Sequence, residues 1–151
     1  MLKIVNILNK RAKFDYEIIE TFTAGIVLSG TEIKSIRLGK ANITESFCEF
    51  NKLELFAINT YIEEYAFGNQ FNHKARSERK LLLNKRELKN LSKNVQAKGL
   101  TIVPLKLHTT ENGLAKLDIG LCRGKKTYDK RESLKSQDIK REIDQIKKKM
   151  G

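Results

Sequence analysis

The stretch that decides the fold is residues 101–122, TIVPLKLHTTENGLAKLDIGLC. Apolar residues alternate with polar ones on both sides of an Asn-Gly pair, which tolerates the positive φ of a tight hairpin turn. The first strand is expected to place Val103, Leu105 and Leu107 on one face. Pro104 has no N–H to donate to a ladder, so this strand is predicted to lie at an edge or to carry a bulge.

Four further strands are predicted from short runs of apolar and β-branched residues. These runs occupy residues 16–22, 24–29, 43–50 and 53–58. About six short antiparallel strands that close on themselves predict a mainly β fold, a small closed antiparallel barrel. Residues 1–12 show no clear period and are expected to be loose.

Two helices are predicted beside the strands. Each begins with a capping residue followed three positions later by a glutamate, and each ends at a glycine, which adopts a left-handed cap at little cost. These signals are Ser29 and Glu32 with Gly39, and Asn84 and Glu87 with Gly99. The second helix carries Leu88, Leu91 and Val95 on one stripe predicted to be buried, and its lysines lie off that stripe.

The positive charge is concentrated in two blocks. Lys+Arg is 30 and Asp+Glu is 18, which gives a formal net charge of +12. Residues 74–98 hold nine basic and two acidic side chains, and residues 123–151 hold eleven basic and five acidic side chains. In the rest of the chain the numbers of basic and acidic side chains are nearly equal. Two concentrated blocks favour nucleic acid as the partner. The alternatives from charge alone are an acidic membrane surface, or no polyanion at all, with solvated faces and a disordered tail.

Residues 123–151, here termed the tail, differ in composition from the rest of the chain. Ile139, Ile143, Ile146 and Met150 recur at helical spacing, but this stripe is too thin to hold a helix alone in water. We therefore expect residues 1–122 to form the folded domain. The basic tail is expected to be disordered when free and helical on a surface.

Several classes of protein are disfavoured. The longest apolar run is four residues, against the roughly twenty that a membrane span needs. Cys48 and Cys122 are 74 positions apart, which suits two small core or strand residues in a reducing cytoplasm. His73 and His108 lack the partners of a catalytic or metal-binding motif, so no enzyme activity, metal or cofactor is expected.

The first candidate for RNA contact is the loop at residues 69–80. In RNA recognition, amides read base edges, an aromatic ring stacks on a base and cations neutralise phosphate. Here Asn69 and Asn72 supply the amides and Phe71 supplies the ring. Phe71 could instead be buried as a loop anchor, and His73 is either an RNA contact or a structural hydrogen-bonder. The cations of this block are Arg76, Arg79, Lys80 and, in the second helix, Lys85 and Arg86.

Two further stretches leave alternatives open. Lys40 and Asn42, just past the first helix, could hold a phosphate and a sugar or simply complete a cap and turn. Glu32 is either a capping carboxylate or an RNA hydrogen-bond acceptor. In the tail, Tyr128 lies among cations and could stack on a base, or it belongs to a solvated linker.

Taken together, these runs resemble one family, the SsrA-binding proteins, also called small protein B. The matching runs are GTEIKS at 30–35, GKAN at 39–42, NQFNH at 69–73, RKLLL at 79–83, KGLTIVPL at 98–105 and RGKKTYDKR at 123–131. They follow the family's order and cover roughly residues 9–142. The sequence departs from the family's pattern at Gln70, where a basic residue is usual, and at Lys74-Ala75.

The resemblance implies an oligonucleotide-binding-like barrel with two or three flanking helices and a flexible basic tail. It also implies an adaptor that delivers transfer-messenger RNA to stalled ribosomes, where incomplete proteins are tagged. The barrel contacts that it implies are Glu32, Lys34, Lys40, Asn42, Asn69, Phe71, Asn72 and His73. The contacts that it implies in the small-subunit decoding region and message path are Arg123, Gly124, Lys125, Lys126, Tyr128, Lys130 and Arg131.

This interpretation predicts a cytoplasmic protein that is monomeric when free and has no membrane partner. The competing interpretation is a general RNA chaperone or a ribosomal-protein-like module without a dedicated RNA. The two differ in whether unrelated structured RNAs bind equally well at matched salt.

Overall fold

The structure is a computed structural model that describes residues 4–68 and 71–125. Nine strands and three helices occupy these residues. The strands are β1 (Asn6–Leu8), β2 (Tyr16–Ile26), β3 (Ala41–Asn42), β4 (Phe47–Asn51), β5 (Glu54–Ile58), β6 (Tyr61–Ile62), β7 (Arg79–Leu82), β8 (Thr101–Thr109) and β9 (Ala115–Gly124). The helices are α1 (Ala12–Asp15), α2 (Gly30–Arg37) and α3 (Lys85–Lys98).

Six antiparallel strands form a closed ring. Their order is β8-β4-β5-β7-β2-β9, and a long β8–β9 pairing closes the ring, while β1 lies outside it on β8. Strands β3 and β6 form a separate two-stranded ladder. This ring confirms the predicted closed arrangement of about six antiparallel strands. No helix in the described part of the chain is long and apolar enough to cross a membrane.

The six strands of the ring are not the six that the sequence predicts. The predicted strands at 16–22 and 24–29 form one strand, β2, and residues 43–46 are not a strand. Strand β7 was not predicted, because residues 81–83 read only as the approach to a helix. β7 pairs with β5 on one side and β2 on the other, so it is defined by long-range partners rather than by alternation.

A bulge in β8 changes the face of the strand on which the residues after it lie. The register against β9 shifts between Pro104 and Lys106, which confirms the predicted bulge. Because the extra residue reverses the alternation, Leu107 lies in the main core whereas Val103 and Leu105 belong to a second cluster. The prediction that these three residues share one face is therefore wrong.

The expectation that residues 1–12 are loose is also wrong for the described part of that segment. Strand β1 pairs with β8 from Asn6↔His108 to Leu8↔Lys106. The buried Asn9 then donates from Nδ2 to the Pro104 carbonyl at 2.9 Å, and its own N–H donates to the Leu105 carbonyl at 2.9 Å. Asn9 thereby ties the end of β1 to the bulge in β8.

The predicted helix signals are confirmed. Both α2 and α3 begin with a complete capping box, Ser29 with Glu32 and Asn84 with Glu87. Gly99 ends α3 at φ 63°, a left-handed conformation that favours glycine. The first helix, α1, is a single turn that the sequence did not predict.

The core fills the interior of the ring. Ile36 of α2 and Leu91 of α3 are both completely buried in it, so each helix covers the ring with its apolar side. Cys48 and Cys122 lie buried in β4 and β9, which confirms that they are core strand residues. Burial raises the pKa of both thiols, that of Cys122 to about 11.

Candidate functional site

A buried ion pair joins two residues that were both predicted to contact RNA. Glu32 accepts a hydrogen bond from the Ser29 N–H at 2.8 Å through Oε1 and from Arg79 Nε through Oε2. The side chain of Arg79 is 2% exposed and that of Glu32 is 9% exposed. Burial raises the pKa of Glu32, but the Ser29 N–H and the Arg79 guanidinium outweigh it, so the net pKa lies below its usual value.

The rest of the Arg79 guanidinium is used inside the protein. Its Nη1 donates to the Thr60 carbonyl, and its Nη2 donates to the carbonyls of Lys74 and Ala75 at 3.1 Å each. Every nitrogen of this group therefore has a partner within the fold. The pair is buried and anchors the loop between β6 and β7 to α2, which gives Glu32 and Arg79 a structural role.

Asn72 and His73 also hold this loop together. Asn72 Oδ1 accepts from the backbone N–H groups of Tyr65 at 3.2 Å and His73 at 3.0 Å, and Nδ2 donates to the Tyr65 carbonyl at 2.8 Å. A Cβ at Gly68 would stand 2.5 Å from that Nδ2, so the close approach requires glycine. These contacts give Asn72 a structural role in the loop.

The imidazole of His73 bridges the loop to α2 and β6. Its Nε2 lies 2.9 Å from the Ile62 carbonyl and its Nδ1 lies 2.9 Å from Thr31 Oγ1. A carbonyl only accepts, so Nε2 carries the proton, and in the neutral ring Nδ1 accepts from the threonine hydroxyl. Of the two alternatives left open for His73, the structure favours the structural hydrogen-bonder.

The loop thus anchored presents exposed aromatic rings beside a cation. Phe67 is 85% exposed and Phe71 is 79% exposed. Tyr65 packs edge-on against Phe67 with ring centroids 5.6 Å apart, and Lys34 Nζ lies 5.5 Å from the centroid of the Tyr65 ring. We call Lys34, Tyr65, Phe67 and Phe71 the loop cluster. Burial of Phe71 as a loop anchor, the alternative left open for it, is excluded.

Tyr65 and Phe67 are functional candidates that the sequence reasoning missed. The aromatic content of residues 63–79 was visible, but no motif singled these rings out. The signal for Phe67 is its exposure next to a second exposed ring, that of Phe71, and the half-buried Tyr65 contacts both Phe67 and Lys34. Asn69 and Gln70 lie outside the described residues.

A cleft forms where β3 meets β6, and its lining includes Arg76 and Glu45, whose side chains pair at 3.7 Å. Asn42 pairs with Tyr61 across that ladder, and the Arg76 guanidinium lies 5.3 Å from the centroid of the Tyr61 ring. The two predicted contacts Asn42 and Arg76 therefore line one cleft of about 200 Å³. Asn42 Oδ1 accepts from the Thr44 N–H at 2.8 Å, an arrangement that forms a turn.

The remaining predicted cations of the folded part lie on the surface. Lys40 is exposed just after α2, and its carbonyl accepts from the Glu63 N–H at 3.0 Å, next to the loop. Lys80 forms a solvent-exposed pair with Glu54 at 3.3 Å. Lys85 and Arg86 are exposed in the first turn of α3, off its buried stripe.

The boundary predicted between domain and tail falls inside a strand. Arg123 and Gly124, predicted as tail residues, are the last two residues of β9 and pair with Glu17 and Tyr16 of β2. Lys125 donates its N–H to the Asp15 carbonyl at 3.0 Å. Main-chain hydrogen bonding therefore extends to Lys125, three residues past the predicted boundary at 122. The predicted tail contacts Lys126, Tyr128, Lys130 and Arg131 lie outside the described residues.

Comparison with known proteins agrees with this architecture. The family described as SmpB protein matches residues 6–149. The chain belongs to the SmpB family. Members described as SsrA-binding protein include one from Flavobacterium johnsoniae, 83% identical over 148 residues and 98% of both chains. Another, from Bacteroides thetaiotaomicron, is 56% identical over 139 residues, which is 92% of this chain and 93% of the relative.

A solved SmpB-family structure shares the fold. It is described as "tmRNA-SmpB: a journey to the center of the bacterial ribosome", is 51% identical in sequence and gives a TM-score of 0.68. The match covers 81% of this chain and 85% of that one. The predicted resemblance to the SsrA-binding proteins is therefore confirmed for most of the chain.

Proposed function

We propose that this protein is an RNA-binding adaptor that binds transfer-messenger RNA and delivers it to stalled ribosomes for trans-translation. The observation that carries the proposal is membership of the SmpB family over residues 6–149, with an SsrA-binding relative 83% identical. A structural neighbour described with both tmRNA and the bacterial ribosome supports the same partners.

The loop cluster is proposed as the contact with the RNA. Exposed rings such as Phe67 and Phe71 can stack on unpaired bases, a contact worth about 1–3 kcal/mol per base. Lys34 lies against Tyr65 of the same cluster, and Lys34 and the exposed Lys40 are proposed to hold phosphates. The cleft that contains Asn42 and Arg76 adds an amide and a guanidinium, and the guanidinium also pairs with Glu45. The buried Glu32–Arg79 pair contributes indirectly, because it fixes the loop that presents the rings.

The tail is proposed as a second surface that enters the decoding region and the vacant message path. A cationic segment suits a groove walled by RNA phosphate, and Tyr128 adds a ring for stacking. The two proposed units are a folded domain to about residue 124 and a tail beyond it. A message still present in the path would compete with the tail, which gives a mechanism for selecting empty ribosomes.

Catalysis has no part in this proposal. The described residues contain no group of three His, Cys, Asp or Glu side chains that could hold a metal ion. His108 does have a carboxylate partner, since its Nε2 lies 3.0 Å from Asp118 Oδ1, but Lys106 and Thr23 engage the same carboxylate on a strand surface. We propose a cytoplasmic protein, monomeric when free, that needs no cofactor.

The test is competitive RNA binding at controlled salt. Transfer-messenger RNA should outcompete bulk transfer RNA, and with about six phosphates neutralised the slope of log K against log salt should be about −4. Phe67→Ala should weaken binding about tenfold, whereas Leu53→Ala, at an equally exposed position outside the loop cluster, should leave it unchanged. Equal affinity for both RNAs would support the general chaperone instead, and a slope near zero would exclude RNA binding.

A further inference from the structure

An apolar trough runs between α3 and the β4–β5 hairpin, and no residue of the loop cluster lines it. Its volume is about 730 Å³, and its walls are Phe50, Leu53, Leu88, Ala97 and the stems of neighbouring polar side chains. Leu53, at the tip of the hairpin, is 85% exposed. Leu53 therefore offers an exposed apolar side chain at the edge of the trough.

One wall of the trough carries a row of three lysines. Lys85, Lys89 and Lys93 recur every four residues along α3, so they lie on one side of the helix at intervals of about 6 Å. Among the described residues none of them forms a salt bridge. Three adjacent cations repel one another, and an occupant with matching carboxylates would relieve that repulsion.

The charge of the row argues against the chain's own tail as the occupant. Residues 139–150 carry an apolar stripe of suitable spacing, but they hold five basic and two acidic side chains. Such a segment would bring more positive charge against the lysines. The trough lining argues against RNA, because its one ring, that of Phe50, is half-buried, whereas the highly exposed rings Phe67 and Phe71 lie on the loop between β6 and β7.

We propose that the trough docks an acidic amphipathic helix of a protein partner. The partner helix would place aliphatic side chains at i, i+4, i+7 and i+11 against Leu53 and Leu88, and carboxylates four residues apart against the lysine row. Helix α3 has 14 residues, about 21 Å, which sets the length of the partner helix at about four turns. The adaptor would thereby hold RNA at the loop cluster and a protein at α3.

The probe is a fluorescein-labelled synthetic 16-residue helical peptide with that leucine stripe and glutamates every fourth residue along one flank. Fluorescence anisotropy with the full chain should show binding at least tenfold tighter than to a matched peptide with lysines in place of the glutamates. Leu53→Ser and Lys89→Glu should each weaken the acidic peptide about tenfold. Lys98→Glu is the matched control, since this exposed lysine of α3 does not line the trough, and it should have no effect.

Circular dichroism would show that the variants fold, as expected for exposed positions. Equal binding of both peptides, or no effect of Lys89→Glu, would overturn the proposal. Displacement of the acidic peptide by a 12-nucleotide single-stranded RNA would assign the trough to nucleic acid. Tighter peptide binding in Ile143→Ser would assign it to the tail. Each of these results would leave binding of transfer-messenger RNA at the loop cluster unaffected, so the two proposals fail separately.

Discussion

Replacing Glu32 by glutamine separates the structural role of this residue from the RNA contact that the family resemblance implies. The substitution preserves the shape and one oxygen for the Ser29 N–H, but it removes the charge that faces Arg79. The Arg79 guanidinium, with its side chain 2% exposed, is then left as a buried cation without a counter-ion. We expect the folded state to be destabilised while the RNA-binding surface itself is unchanged.

The size of the effect follows from burial. Breaking a buried, hydrogen-bonded ion pair by removing one partner costs about 3–5 kcal/mol of unfolding free energy. For a chain of this length that corresponds to a fall in Tm of about 10–15 °C. The matched control is Glu54→Gln, because the Lys80–Glu54 pair is 41% and 54% exposed and should contribute less than about 1 kcal/mol.

Urea denaturation followed by circular dichroism measures both variants, and RNA affinity is measured below the Tm of each. Because the pKa of Glu32 is below its ordinary 4.5, the stability from the pair is present above pH 4.5 and is lost as pH falls through the folded-state pKa. The difference in unfolding free energy between the wild type and Glu32→Gln should therefore become smaller at acid pH. An unfolding free energy within 1 kcal/mol of wild type, together with weaker RNA binding, would refute the structural assignment and restore the RNA contact.

Four further predictions concern the tail, the cysteines and the core. Truncation after Lys125 should leave affinity for transfer-messenger RNA within roughly tenfold yet abolish tagging on stalled ribosomes, and Tyr128→Ala should weaken tagging through lost stacking of about 1–3 kcal/mol. Cys48 and Cys122 are buried with raised pKa values, so a thiol-reactive chromophore at pH 8 should label neither until urea unfolds the protein. Leu91→Ala should lower the unfolding free energy by about 2–5 kcal/mol in the same urea titration, since Leu91 is completely buried.

Local signals in the sequence were sufficient for α2, α3 and the positions of the two strands in the last hairpin. The capping boxes at Ser29 and Asn84, the left-handed Gly99 and the bulge next to Pro104 are consequences of side chains acting on backbone within a few residues. The alternation in β9 was also sufficient, because every second residue from Ala115 to Leu121 is buried. For the same reason the family motifs, which are short stretches of consecutive residues, could be recognised from the sequence alone.

Only the tertiary structure decided which predicted contacts are free to bind. Arg79 and Lys80 are adjacent cations in one basic block, yet the first is buried and the second lies toward solvent because β7 has an inner and an outer face. Glu32 and Arg79 are 47 positions apart, and Asn9 and Pro104 are 95 apart, so no local pattern contains either contact. Composition and spacing determined that the chain is cationic and mainly β. Closure of the strand ring determined which charged side chains are buried and paired inside the protein, because burial depends on partners that are distant in sequence.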